Sequence, residues 1–296
     1  MNLVKKIIKI HDSYNLVFFC FSSIFIEITY NLMVIWMDFK VGDYVTRKSY
    51  NNDTVFKIIN IVSDIAYLKG AEVRLYADSD LSDLIKCEVP REDKFFEDEV
   101  RGNKITEKDD YFYLPGKILH IDGDEEYLEK CLKFYKSSGV YAIGKKIKEE
   151  NMYEQIPLLL KEYKPDIIII TGHDAYYKKK GSIKDINNYK NTKFFIKAIK
   201  SARSYEKSHE KLVIIAGACQ SNYEELIKAG ANYASSPKRV NIHALDPAII
   251  AVTVALTERS KAIDLKGLLE LTKYGKDGMG GIMGNGIMYV GYPRWI

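Results

Sequence analysis

Two chemically active side chains follow two apolar runs of this chain. The run DIIIIT is followed by Gly172 and His173, and the run LVIIAG is followed by Ala218 and Cys219. A thiolate is a nucleophile and an imidazole accepts protons near neutral pH. Together they can cleave an acyl bond through a covalent intermediate. Whether these two side chains meet depends on the elements that carry them.

From Pro115 onward, apolar runs without alternation are separated by helical patterns. Such runs are typical of strands covered on both faces, and their alternation with helices predicts βαβ units around a parallel sheet. His173 and Cys219 are 46 positions apart, which is the length of one crossover. Because a right-handed crossover brings the carboxyl ends of parallel strands to one edge, we expect both side chains at that edge.

The residues around Cys219 favour a reactive thiol. Ser221 and Glu224 have the spacing of a capping box, which predicts that a helix begins just after the cysteine. The positive end of the helix dipole would then favour the thiolate. The backbone N–H groups around Gly172 and Cys219 are the candidate donors of an oxyanion hole.

The same cysteine has a second interpretation as a core residue. Cysteine is among the most buried residue types, and this one follows a strongly apolar run. Against this, the pair Ala218-Cys219 with a histidine about 50 residues upstream matches the caspase signature. Gly217 and the order Gly172-His173 depart from that signature, so the residues alone leave both interpretations open.

Other candidates are weaker. Asp174 lies next to the candidate base, and His243 could serve as a second base or as its orienter. His120, Asp122 and Asp124 follow one another closely enough to bind a metal, but a capped loop at a helix start is the favoured interpretation. We therefore predict no cofactor and no metal site.

A receiver-like phosphoacceptor or protein-binding signalling module without peptidase activity is the alternative function. The order of strands and helices, the Asp122/Asp124 pair and Asp174 all resemble that fold. A receiver, however, needs its acceptor aspartate directly at the strand end, whereas Gly172 and His173 stand between the apolar run and Asp174.

The amino-acid composition limits the class of protein and the kinds of partner. Hydrophobic residues make up 47% of the chain and charged residues 28%, as in globular proteins. The net charge of +4 is small and dispersed, so no nucleic-acid partner is predicted. The four cysteines lie far apart without a CxxC pair, which excludes the usual zinc spacing and argues against a disulfide framework.

Four segments are distinguished along the chain. Residues 1–36 have a basic start and a short apolar run, and we interpret them as an extension from a misassigned start codon, without a stable membrane span. Residues 37–90 alternate apolar and polar positions, which predicts a small SH3-like β-barrel. Residues 91–112 form a charged linker, and residues 113–296 form an α/β domain with a caspase-like or receiver-like parallel sheet.

The chain resembles the YabG family of sporulation-specific proteases of spore-forming Firmicutes. The resemblance rests on TGHDAYYKKK, on GDYVTRKSYNNDTVFKI, on PGKILHIDGDEEYLEKC and on the long block from Leu212 to Pro247. It implies a cysteine endopeptidase with Cys219 as nucleophile and His173 as base. Its expected partners are spore coat and related spore proteins, processed during sporulation in the mother-cell cytoplasm and at the forming coat. Similarity to caspase-like proteases with acidic specificity pockets also implies cleavage after basic residues, without identifying the acidic residue.

Overall fold

The computed structural model describes residues 39–88 and 110–294. The predicted extension at residues 1–36 lies outside the described residues, and so do residues 91–109 of the predicted linker. The four predicted segment boundaries stay predictions.

The N-terminal part of the described chain is a five-stranded antiparallel sheet. Its strands are β1 (Tyr44–Arg47), β2 (Phe56–Val62), β3 (Ile65–Gly70), β4 (Tyr76–Asp80) and β5 (Leu84–Lys86). Their spatial order is β4-β3-β2-β1-β5. Alternate residues, among them Phe56 and Leu68, pack into a small apolar core. The alternating pattern thus forms an antiparallel sheet, while the SH3-like assignment stays a prediction.

The second part alternates strands and helices. Its strands are β6 (Phe112–Leu114), β7 (Ile118–Asp122), β8 (Ala142–Lys146), β9 (Ile167–Thr171), β10 (Val213–Ala216), β11 (Tyr233–Ser235), β12 (Met279–Gly281) and β13 (Tyr289–Gly291). Its helices are α1 (Glu125–Ser137), α2 (Met152–Tyr163), α3 (Thr192–Tyr205), α4 (Tyr223–Lys228), α5 (Asp246–Leu256), α6 (Leu265–Glu270) and α7 (Gly275–Gly278). The mixed α/β class predicted from the sequence is confirmed.

A six-stranded sheet organises this part. Its order is β12-β11-β10-β9-β7-β8, and all neighbours are parallel except β12, which runs antiparallel to β11. The chain places β8 on one side of β7, and then β9, β10 and β11 in turn on the other side. The direction in which strands are added therefore reverses between β7 and β9. In open α/β sheets, ligands bind outside the carboxyl ends of the strands at such a switch point. The finer caspase-like or receiver-like assignment stays a prediction.

Both faces of this sheet are covered, which explains the missing alternation in its strands. Ile167 and Ile169 of β9 point into a core that includes α1 and α5 residues. Ile168 and Ile170 point into the opposite core, which includes α2 and α3 residues. A strand buried on both sides needs apolar residues at every position, and β9 has four isoleucines in a row.

Two local expectations fail. The sequence pattern predicts a helix from Lys145, but β8 continues to Lys146 and a 3-10 turn at Glu149–Asn151 precedes α2. The turn-forming pair Asn285-Gly286 predicts a hairpin. This prediction is also wrong, because β12 pairs with β11 while β13 pairs with β6 in a separate two-stranded sheet. Within the described ranges, no helix is long and apolar enough to cross a membrane.

The two-sided burial of β9 generates a stability prediction. Ile168→Ala removes three carbon atoms from a fully buried position, and we expect the free energy of unfolding to fall by about 2–5 kcal/mol. Leu158→Ala is the matched control, because the Leu158 side chain on α2 is 71% exposed. Urea denaturation of both variants measures the difference, and equal losses would contradict the two-sided packing.

Candidate active site

His173 and Cys219 lie on neighbouring loops at the carboxyl edge of the sheet. Strands β9 and β10 pair in parallel with Ile170 opposite Ala216. The pairing extends one residue further, because the Gly217 N–H donates to the Ile170 carbonyl oxygen at 3.0 Å. The loops that continue from these two strand ends are therefore adjacent, as the crossover length predicts.

The imidazole of His173 is held from one side. Its Nε2 lies 3.1 Å from Oδ2 of Asp124, and its ring stands edge-on to Tyr76 with the ring centroids 4.4 Å apart. Its Nδ1 is buried and has no hydrogen-bond partner among the described residues. One ring nitrogen is thus oriented by a carboxylate while the other is available for a proton.

The backbone of His173 is fixed by Glu149. The His173 N–H donates to Oε1 of Glu149 at 2.8 Å. Both Gly123 and Gly172 let this carboxylate approach closely, since a Cβ built on either glycine would lie 2.4 Å from Oε1. A single carboxylate therefore packs against the loop after β7 and the loop after β9.

The thiol of Cys219 is fully buried. Its Sγ accepts the Ile242 N–H at 3.3 Å and lies 3.8 Å from the Ile242 carbonyl oxygen. Burial raises the pKa of the Cys219 thiol to about 12, and this outweighs the lowering effects of the Ile242 N–H and of Arg74. Within the described residues, no hydrogen bond joins the Cys219 thiol to the His173 imidazole. The thiol is therefore protonated in this arrangement.

The helix after Cys219 begins later than the capping-box pattern predicts. α4 starts at Tyr223, and its N-cap is Asn222, whose side chain accepts the Glu225 N–H. Ser221 instead accepts the Ala218 N–H at 3.0 Å, so it shapes the turn that carries the cysteine. The predicted dipole effect on the thiol is not supported, because α4 has only six residues and begins four positions after Cys219. The roles of the Gly172 and Cys219 N–H groups as oxyanion donors stay predictions.

Asp174 joins the two loops. Its buried carboxylate accepts the Ser221 hydroxyl at 2.8 Å, the Thr192 hydroxyl, the Asn191 N–H at 2.7 Å and the Ala175 N–H at 2.9 Å. Both carboxylate oxygens are therefore occupied. This environment disfavours the phosphoacceptor role considered for Asp174, and its accessory role stays a prediction.

His243 lies in the segment that follows β11. Its Nδ1 accepts the Leu245 N–H at 3.2 Å, and its own N–H donates to Oδ2 of Asp246 at 2.9 Å. Burial, with the nearby cations, lowers the pKa of His243 to about 3, so the ring is neutral. These contacts place it at the start of α5, and its role as a second base or orienter stays a prediction.

Sequence reasoning missed Arg74 as part of this edge. The guanidinium is fully buried, and its Nη1 forms an ion pair with Oδ2 of Asp122, the last residue of β7. Its Nη2 donates to the Ala244 carbonyl oxygen at 3.0 Å and lies 3.6 Å from the Cys131 sulfur. Burial opposes ionisation of Asp122, but Arg74 and His120 outweigh it and lower the pKa of that carboxyl. Nothing in the alternating pattern around Arg74 distinguishes it from a surface strand residue.

The acidic residues after β7 are engaged by protein partners. Asp124 is the N-cap of α1, as the capped-loop interpretation predicts, and it also binds Lys69 at 2.9 Å and the Tyr76 hydroxyl at 2.9 Å. His120 hydrogen-bonds Tyr135 at 2.8 Å and Thr171 at 2.7 Å. In the part of the chain that the structure describes, no group of three or more acidic, histidine or cysteine residues could hold a metal ion.

Comparison with known proteins gives two consistent matches. The family model described as YabG peptidase U57 matches residues 40–101 and 90–293 of this chain. The sporulation-specific protease YabG of Bacillus subtilis (strain 168) is 43% identical over 286 residues, which cover 87% of this chain and 99% of that relative. The chain belongs to the YabG peptidase family U57. Membership of the YabG family supports a peptidase role in sporulation, with proteins as substrates.

The burial of Cys219 generates a labelling prediction for this YabG-family chain. Thiolates react with iodoacetamide and thiols do not, so native Cys219 should react at least about 100-fold more slowly than the half-buried Cys87 at pH 8. Peptide mapping by mass spectrometry after timed labelling measures both rates. Denatured protein is the control, in which the two rates should converge. Equal rates in the native protein would contradict the described burial.

Proposed function

We propose that this chain is a cysteine endopeptidase in which Cys219 is the nucleophile and His173 is the general base. The observation that carries the proposal is the position of the two residues on adjacent loops beyond the paired ends of β9 and β10. Membership of a peptidase family limits the chemistry to peptide-bond hydrolysis. At this sheet edge, a cysteine with a neighbouring histidine is the arrangement suited to that chemistry.

The surroundings of His173 support its role as base. A catalytic base needs a third group that fixes its tautomer and orientation. Asp124 supplies this contact at Nε2, and the unpartnered Nδ1 remains to accept a proton. A carboxylate at Nε2 also stabilises the imidazolium that forms when the thiol loses its proton.

The reaction then has two half-reactions. His173 takes the proton from Sγ of Cys219, and the thiolate attacks the peptide carbonyl carbon. The N–H groups of Gly172 and Cys219 are the proposed donors to the oxyanion. The C–N bond breaks as the amine takes the proton from His173, leaving a thioester. Water attacks the thioester with His173 again as base, which releases the carboxylic acid and restores the thiol.

Attack requires a change in the environment of the thiol. In the described arrangement Cys219 is buried and protonated, so a substrate carbonyl cannot reach its sulfur. The segments that cover Cys219 must move before the first half-reaction begins.

The proposed substrates are spore coat and spore-associated proteins, cleaved during sporulation. We place this activity in the mother-cell cytoplasm and at the forming coat. Support for a role in sporulation comes from the similarity to the sporulation-specific protease YabG of Bacillus subtilis. The coat substrates and the location rest on the resemblance seen in the sequence.

The test is removal of each reacting group. Cys219→Ala and His173→Ala should each lower the cleavage of extracted coat proteins by at least about 1,000-fold, because each removes a group that the first half-reaction requires. Gel electrophoresis with mass spectrometry of the products measures the rates. Thermal unfolding should show that both variants remain folded.

Matched controls use residues of the same type away from this edge. Cys87→Ala removes a half-buried cysteine of the N-terminal sheet, and His209→Ala removes a histidine located just before β10. Both should keep cleavage within a few-fold of the parent protein. Undiminished cleavage by the Cys219→Ala protein would rule out the proposed nucleophile.

A further inference from the structure

A segment of the N-terminal sheet lies across the carboxyl edge of the α/β sheet. This segment, Gly70–Tyr76, connects β3 to β4 and is called the crevice segment below. Val73 forms an antiparallel bridge with His243. On either side of it, the Arg74 N–H donates to the Ile242 carbonyl oxygen at 3.3 Å and the Ala244 N–H donates to the Glu72 carbonyl oxygen at 2.9 Å. The crevice segment therefore pairs with residues 242–244 through one β-bridge and two flanking backbone hydrogen bonds, the kind of pairing by which extended peptides are bound.

The side chain of Arg74 enters a pocket at the switch point of the sheet. The pocket presents the Asp122 carboxylate to Nη1 and the Ala244 carbonyl oxygen to Nη2. Asp122 is itself fixed by the Thr171 hydroxyl at 2.8 Å and by the Asp124 N–H at 2.8 Å. Two acceptors facing the two terminal nitrogens match the fork of a guanidinium better than the single point charge of an ammonium.

Stability alone is a weak reason for this arrangement. A buried ion pair loses the hydration of both charges, and an apolar pair of similar volume is often as stable or more stable. The Nε of Arg74 is also buried without a hydrogen-bond partner among the described residues. An arginine kept only for stability would be expected to have all its donors satisfied.

The crevice segment lies against both proposed reacting residues. Ile242, which accepts the Arg74 N–H, also donates to Sγ of Cys219 at 3.3 Å. At the other end of the segment, the Tyr76 ring lies 4.4 Å from the His173 ring. Between them, the Tyr127 hydroxyl donates to the Gly70 and Val73 carbonyl oxygens at 2.7 and 2.9 Å. The crevice segment thus contacts the surroundings of both proposed reacting residues.

Charged contacts hold the crevice segment at its edges. Glu72 forms an ion pair with Lys273, and Lys69, the residue before the segment, binds Asp124 at 2.9 Å. The Tyr76 hydroxyl binds the other oxygen of Asp124, the same atom that contacts His173. The segment is therefore tied to the residue that orients the proposed base.

We propose that the crevice segment is a built-in inhibitory peptide, in which Arg74 occupies, beside Asp122, the pocket for the basic substrate side chain that the family resemblance implies. The inference rests on the proposed function for the identity of the crevice. It makes the described arrangement a self-blocked state, in which Arg74 must leave the pocket before another arginine can enter.

The pocket is tested with agmatine, a small molecule that carries a guanidinium group. All proteins are full-length and carry Cys219→Ala, so that hydrolysis cannot alter them. The Arg74→Ala protein should bind agmatine by calorimetry, and its unfolding temperature should rise by several degrees at about 10 mM agmatine. Protein with Arg74 in place should show neither effect. Adding Asp122→Asn to Arg74→Ala should abolish the binding.

Arg203→Ala is the matched control, because Arg203 is another partly buried arginine whose Nε and Nη1 donate to backbone carbonyl oxygens such as Gly230 and Leu212. Its removal leaves a space without the Asp122 carboxylate, so no agmatine binding is expected. A folded Arg74→Ala protein that binds no agmatine would overturn the proposal. If Arg74→Ala fails to fold alone, folding restored by agmatine supports the pocket, and folding unaffected by agmatine overturns it.

The inhibitory role is tested separately with Arg74→Lys in the chain that retains Cys219. A lysine keeps the charge but not the two-pronged contact, so the crevice segment should leave more often. We expect iodoacetamide to label Cys219 at least tenfold faster, and an arginyl peptide added in trans to be cleaved faster. Unchanged labelling would overturn the inhibitory role.

The outcomes separate this inference from the peptidase assignment. Agmatine binding by the Arg74→Ala protein, together with undiminished coat-protein cleavage by the Cys219→Ala protein, would keep the pocket and reject the nucleophile. Loss of cleavage in Cys219→Ala without agmatine binding in Arg74→Ala would keep the nucleophile and reject the pocket.

Discussion

The parallel pairing of β7, β9 and β10 is the constraint on which the candidate site depends. Ile118, Ile167 and Val213 lie side by side in register, so the three strands end at the same level. Asp122, the His173 loop and the Cys219 loop therefore share one edge, and the hydrogen bond from Ser221 to Asp174 adds to the strand pairing. Backbone hydrogen bonds in a sheet covered on both faces hold these positions more rigidly than loop contacts alone would.

Burial and charge then give the three positions different properties. Cys219 is surrounded by apolar groups and backbone, and the cost of desolvating a thiolate keeps it protonated. His173 is in contact with a carboxylate and two tyrosine rings, with one nitrogen unpaired among the described residues. Asp122 stays ionised although it is fully buried, because the Arg74 guanidinium and the His120 ring compensate the loss of water. One edge thus holds a neutral thiol, an imidazole oriented by a carboxylate, and a buried ion pair.

Much of this edge could be predicted from local sequence patterns. The isoleucine run of β9 and the spacing of 46 residues were enough to place His173 and Cys219 on neighbouring loops. Asp124 was expected to cap a helix, and it does. In contrast, the N-cap of α4 is Asn222 and not the predicted Ser221. The Ser221 hydroxyl instead donates to Asp174 and accepts the Ala218 N–H. The spacing of residues along the sequence does not show whether a serine caps the next helix or hydrogen-bonds to a residue distant in sequence.

Arg74 shows the larger limit of prediction from sequence. Its partner Asp122 is 48 positions away and its contact at Ala244 is 170 positions away. The alternating pattern predicts strand structure for AEVRLYAD, residues 71–78, but only its last three residues belong to β4. Only the packing of the N-terminal sheet against the α/β sheet shows that the connection between β3 and β4 lies across the carboxyl edge.

The carboxylate of Glu149 has a mechanical consequence. It fixes the His173 backbone from within the α/β part, and it fills the space that side chains at Gly123 and Gly172 would need. The main chain of His173, the proposed base, is therefore held by a contact that does not involve the crevice segment. Unblocking the crevice would expose a base whose main chain is already in place, so activation would require uncovering rather than assembly.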